Sequence, residues 1–106
     1  MDAFNYARDL FELQRFGEAK SLMRKTIPVA LRVFGENKDL TFRMRSIYAR
    51  ALFLDAGATL EDLRQAVTKL EETLQTARRV LGGSHPTTGA IERALRDARA
   101  ALQGRA

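Results

Sequence analysis

The chain repeats itself, and that repeat limits what it can fold into. Arg32-Val33-Phe34-Gly35 recurs as Arg79-Val80-Leu81-Gly82, 47 residues later. Ala19 lies sixteen residues before Gly35, and Ala66 lies sixteen before Gly82. Self-similarity at such a period marks stacked units, each too small to bury its apolar face alone. The unit here is helical. Residues 18–34 carry Ala19, Leu22, Met23, Ile27, Ala30, Leu31 and Phe34 at helical spacing. Residues 60–81 align Leu60, Leu63, Ala66, Val67, Leu70, Leu74, Ala77 and Leu81 in the i, i+3, i+4, i+7 pattern of an amphipathic helix.

Three more segments read the same way. Residues 2–14 carry Ala3, Tyr6, Ala7, Leu10 and Leu13, with Asp2 available as a cap and Phe4 and Phe11 beside the stripe. Residues 88–103 carry Ile91, Ala94, Leu95, Ala98 and Leu102 inward and mostly charged residues outward. Residues 40–56 differ in kind. Leu40, Met44, Ile47, Tyr48, Ala51 and Leu52 form one stripe, while Phe42, Ala49, Phe53 and Leu54 form a second. A helix that is apolar on two sides packs on two sides, so this one is expected at the centre. Tyr6, Tyr48 and the phenylalanines are all expected in the core.

Breaks fall between these segments. Gly35, Gly57 and Gly82-Gly83 each offer a left-handed residue where a helix should end. Thr59 with Asp62 is a weak capping box, because Asp reaches back less well than Glu. His85-Pro86 suits a fresh helix start at Pro86 or Thr87. Pro28 stands inside a periodic segment, where it removes one backbone hydrogen bond; a kink over 24–28 is expected rather than two helices. No strand alternation competes. The expected fold is all-α, with five helices in one domain spanning 1–106.

Composition narrows the chemistry. The chain has no cysteine and a single histidine, His85. Disulfides, thiol nucleophiles and cysteine-bound zinc are excluded, and a histidine metal site lacks ligands. Glu61-Asp62 and Glu71-Glu72 are i, i+1 pairs that point apart on a helix, and Gly82-Gly83 is not followed by the GK[ST] of a phosphate loop. No catalytic group, metal or cofactor is expected, and the chain is read as no enzyme. No apolar run has the roughly 18 residues of a membrane span, so a soluble, cytoplasmic protein is expected. Eighteen Lys and Arg against thirteen Asp and Glu give a net charge of +5, and fourteen of those cations are arginine. Arginine suits bidentate pairing with carboxylates or phosphates. The charge is spread without a basic block, which favours an acidic protein partner over nucleic acid.

The segment Ala66–Thr88, AVTKLEETLQTARRVLGGSHPTT, resembles the second helix and inter-repeat turn of kinesin light chain-type tetratricopeptide repeats. That family carries a Leu-Gly-x-x-His-Pro turn after its long helix. Ala19–Gly35 is similar to the same template. Upstream, NYARDLFELQRFGEA resembles the first helix, with Asn5, Ala7, Phe16 and Ala19 at the family's preferred positions. The first turn departs from the pattern, with Lys38-Asp39 where His-Pro would stand. The resemblance implies an α-solenoid of antiparallel helix hairpins, about two and a half repeats: repeat one over 2–35, repeat two over 40–82, and a capping helix over 87–103. It also implies a structural role for His85.

In such arrays the first helix of each pair lines a concave groove. The groove residues implied are Asn5, Arg8 and Glu12; then Arg43, Ser46, Arg50 and Phe53; then Arg93 and Asp97. Arg43 and Arg50 stand seven apart, two helical turns, so they share a face with Ser46 between them and Phe53 as an apolar platform below. Such a groove suits an acidic peptide. Function is therefore expected to be protein–protein interaction, as a scaffold or adaptor. The alternative is a piece of a longer array that forms homo-oligomers through an open end.

Overall fold

The structure, a computed structural model, describes residues 2–105 and contains five helices: α1 (Asp2–Glu12), α2 (Phe16–Phe34), α3 (Asp39–Leu54), α4 (Leu60–Val80) and α5 (Pro86–Arg105). Helix α3 packs against each of the other four, and nine of its sixteen residues are buried, which is what its two apolar stripes require. Each helix packs on the next, and the short loops fold successive helices back as hairpins. The odd-numbered helices also meet, α1 with α3 and α3 with α5, whereas the backbones of α2 and α4 stand apart among the described residues. An α-solenoid results, closed along its odd helices and open along its even ones.

The repeat is visible in the core. Ala19 and Ala66 are both fully buried, each where one helix crosses its neighbour. Around Ala66 the larger cluster gathers Phe42, Leu52, Leu63, Leu70, Ile91 and Leu95 from α3, α4 and α5. A second cluster joins Phe4, Met23, Met44 and Ile47 from α1, α2 and α3. Pro28 lies inside α2, which runs unbroken to Phe34, so the helix absorbs it and does not split.

Several expectations need correction. In α1 the buried face is Phe4, Ala7 and Leu10; Tyr6 is 54% exposed and Leu13 is 65% exposed. Tyr6 lies on the side of α1 turned away from α2 and α3, and Leu13 falls in the turn after Glu12, beyond the end of the helix. Phe34, in the last turn of α2, is also exposed. Gly35 and Gly82 do adopt positive φ, 80° and 95°, but Gly57 does not. The turn after α3 is instead closed by Asp55, whose carboxylate accepts the Gly57 N–H and whose carbonyl accepts the Ala58 N–H. The α1–α2 turn takes its left-handed residue from Gln14, at φ 59°. The capping box at α4 is complete: Asp62 N–H donates to the Thr59 hydroxyl and Thr59 N–H donates to the Asp62 carboxylate, at 3.1 and 2.9 Å. The cap expected of Asp2 rests on a side chain outside the described ones.

The two inter-repeat turns reach the same shape differently. After α2, the Thr41 hydroxyl donates to the Gly35 carbonyl at 2.9 Å. After α4, His85 Nδ1 accepts the Thr87 N–H at 3.1 Å and so caps α5 through its ring. The Thr87 hydroxyl then donates to the Asp39 carboxylate at the start of α3, joining the two turns.

Candidate functional site

Helices α1 and α3 run parallel, and two arginine–phenylalanine contacts keep them in register. The Arg43 guanidinium carbon lies 4.6 Å from the centre of the Phe4 ring, and that of Arg50 lies 4.4 Å from the centre of Phe11. Both pairs span seven residues on their own helix, so each contact recurs after two turns. A guanidinium within about 6 Å of an aromatic centroid is attracted by the ring's negative face. Phe11 is itself steadied by Phe16, edge to face at 4.9 Å.

Between α1, α3 and the start of α5 lies a recess of about 680 Å³. Arg8, Glu12, Arg43, Ser46 and Arg50 all line it, so the structure brings together five of the nine residues inferred from the sequence. Ser46 is buried at its floor beside Ile47. Arg50 is half-buried, and burial is the main influence lowering its pKa from the ordinary arginine value; Asp97 opposes that and Arg93 adds to it. Arg93 and Asp97 thus lie within electrostatic reach of Arg50, although neither lines the recess.

The remaining two candidates fall elsewhere. Asn5 is exposed and outside the recess. Phe53 is buried in the main core with Ala58 and Leu63 and does not line the recess, so it offers no platform. The aromatic surfaces come from α1 instead, as Phe4 and Phe11. Their seven-residue spacing, equal to that of Arg43 and Arg50, was the signal available for them in the sequence. His85 and Thr87 close the α5 side. His85 Nδ1 is occupied as a cap acceptor, leaving Nε2–H as its remaining donor.

What the recess can do is bind. It offers directed cations, an Asp39 carboxylate already taken by Thr87, and apolar ring faces. Among the described residues no three His, Cys, Asp or Glu side chains are grouped to hold a metal ion. No described helix is long and apolar enough to cross a membrane.

The model of a family described as tetratricopeptide repeat matches residues 5–37 and 58–87, more than half of the chain. The first match covers most of α1, all of α2 and the turn after it; the second covers α4 and the turn into α5. Comparison with curated proteins and with solved structures gives no match.

Proposed function

The chain belongs to the tetratricopeptide repeat family, a non-catalytic scaffold that mediates protein–protein interaction, and from that premise we propose that its recess holds an extended acidic peptide segment of a cytoplasmic partner. The observation that carries this is the pair Arg43 and Arg50, two turns apart on α3, each set over a phenylalanine ring and bordering the same recess. Guanidinium groups held in place lose little freedom when they take a carboxylate in a bidentate bond. Their spacing, about 10 Å along α3, suits two acidic side chains of one extended segment. Arg8 adds a third cation, and Ser46 can hydrogen-bond peptide backbone. In this reading residues 2–35 and 40–82 are the repeats, and 87–103 is the cap.

The test is fluorescence anisotropy against a library of labelled Asp- and Glu-rich peptides at low and high salt. Salt-sensitive binding that weakens about fivefold or more in both Arg43→Ala and Arg50→Ala supports the proposal. Binding indifferent to both substitutions removes the recess from it.

A second reading has its own observation. Tyr6 on α1, Leu13 in the turn that follows it, and Val29 and Val33 four apart on α2 are all exposed. Exposed apolar side chains of this kind suit association with a further repeat or a second copy. Sedimentation equilibrium decides it: a monomer at two salt concentrations removes self-association, and a dimer that Leu13→Glu and Val33→Glu dissociate supports it.

A further inference from the structure

On the opposite side of α3 from the recess lies a second, smaller cleft of about 290 Å³, formed where α2 and α4 stand apart. Arg45 and Tyr48 form its floor; at 100° per residue they fall about half a turn around α3 from Arg43 and Arg50. Arg24 and Pro28 enter from α2, and Lys69 and Glu72 from α4.

Three independent features mark this cleft as built to receive something. Its three cations come from three helices and face one carboxylate, yet among the described residues Arg24, Lys69 and Glu72 make no ion pair. Arg45 reaches only the largely exposed Glu36, at 4.0 Å. Three cations around one carboxylate leave the cleft with net positive charge, and like charges repel, so the grouping itself does little to stabilise the fold. The Nε–H of Arg45 is buried and has no hydrogen-bond partner, a state that is costly for a charged donor. The floor is aromatic, with Lys69 Nζ held 5.8 Å from the centre of the Tyr48 ring.

We propose that this cleft binds a small organic anion, a carboxylate or phosphate on a short apolar body. Arg45 and Lys69 take the anionic group, with Arg24 beside them, and the body lies on Tyr48. The volume is at the lower end of the range for small-molecule sites, which admits one ring or a short chain. This site is separate from the peptide recess and does not depend on it.

The experiment is a nuclear magnetic resonance titration of the ¹⁵N-labelled chain with phenyl phosphate and with benzoate, and with benzyl alcohol as the uncharged counterpart. Expected are saturable amide shifts centred on residues 24–28, 45–48 and 69–73 for the two anions and none for benzyl alcohol. Affinity should fall about tenfold in Arg45→Gln and in Lys69→Gln, the loss of one charge-assisted contact, and hold in Arg96→Gln, which removes the same charge from the exposed face of α5. Lys69 is exposed, so its variant keeps the fold even if Arg45→Gln does not. No saturable shift, an equal response to benzyl alcohol, shifts centred on the Arg43–Arg50 recess, or undiminished affinity in Lys69→Gln would overturn the proposal.

Discussion

The Arg50 guanidinium carbon lies 4.4 Å from the centre of the Phe11 ring, and through that contact α3 holds α1. Arg43 repeats the contact on Phe4 two turns earlier. The side chains proposed to bind a partner are therefore also those that fasten the first helix to the central one. Substitution there acts on stability as well as on affinity, and the two effects have to be measured separately.

The stability effect should be graded. Arg50 is half-buried and Arg43 is exposed, and a cation–π contact gains strength as it loses water. Arg50→Ala should cost about 1–2 kcal/mol and Arg43→Ala about 0.5–1 kcal/mol. Urea unfolding followed by circular dichroism reads both. Equal costs, or none, would show that the rings hold α1 without the cations.

Ala66 has no accessible surface, and it sits where α4 crosses its neighbours among Phe42, Leu63 and Leu70. Ala66→Leu forces three extra carbons into a filled crossing and should cost about 1–3 kcal/mol. Ala100→Leu, on the exposed face of α5, should stay within about 0.5 kcal/mol. A melting curve for Ala66→Leu that matches the parent would contradict the packing of the second repeat.

How much of this was legible in the sequence depends on whether one helix or two had to be read. The five helices and the central place of α3 follow from periodicity within single segments, and Arg43, Ser46 and Arg50 share a face by spacing alone. The rotation of α1 did not follow, because it carries two overlapping apolar stripes, and only the positions of α2 and α3 favour Phe4-Ala7-Leu10 over Tyr6 and Leu13. Phe53 shares the face of Ser46 but lies two turns further on, where packing covers it. The convex cleft was invisible for the same reason, since Arg24, Arg45 and Lys69 are scattered in sequence and meet only when three helices are placed.

The capping box gives stability a pH dependence. The Thr59 N–H is the largest influence holding the Asp62 carboxyl below its usual range; the Thr59 hydroxyl, Lys20 and Arg24 act in the same direction and desolvation opposes them. A group with a lower pKa folded than unfolded binds fewer protons when folded. Its contribution is thus complete above the unfolded carboxylate pKa, about 4, and is lost as pH falls through the folded value. Thr59→Ala should cost about 1 kcal/mol at pH 7. Asp62→Asn should cost less at pH 7 and flatten the decline below about pH 4. Chemical denaturation across pH 2–7 separates the two, and an acid limb unchanged in Asp62→Asn would remove Asp62 as its source.

Gly82 ends α4 at φ 95°, with nothing within 4 Å of where a Cβ would stand. Any cost of Gly82→Ala is therefore backbone strain alone, about 1–2 kcal/mol. Gly83 also has open space but no positive φ, so Gly83→Ala should be near neutral. If thermal melts show equal effects, the helix stop is not where the structure puts it.

Pro28 makes a prediction of the opposite sign. It stands inside α2 with neither a terminus nor a break nearby, and there it deletes the hydrogen bond to the Arg24 carbonyl and crowds that oxygen. An interior proline costs a helix about 3 kcal/mol, while alanine frees the unfolded chain by up to about 1 kcal/mol. Residues 16–34 have also adjusted to the ring, so only part of the difference returns when it is removed. Pro28→Ala should therefore raise stability by about 1–2 kcal/mol, measured as a higher urea midpoint at unchanged slope. An unchanged or lower midpoint would mean that packing on α3, where Ile27 meets the Met23–Met44 cluster, keeps the new amide from reaching Arg24. In that case the neighbouring helix sets the course of α2, and the proline is fitted to it.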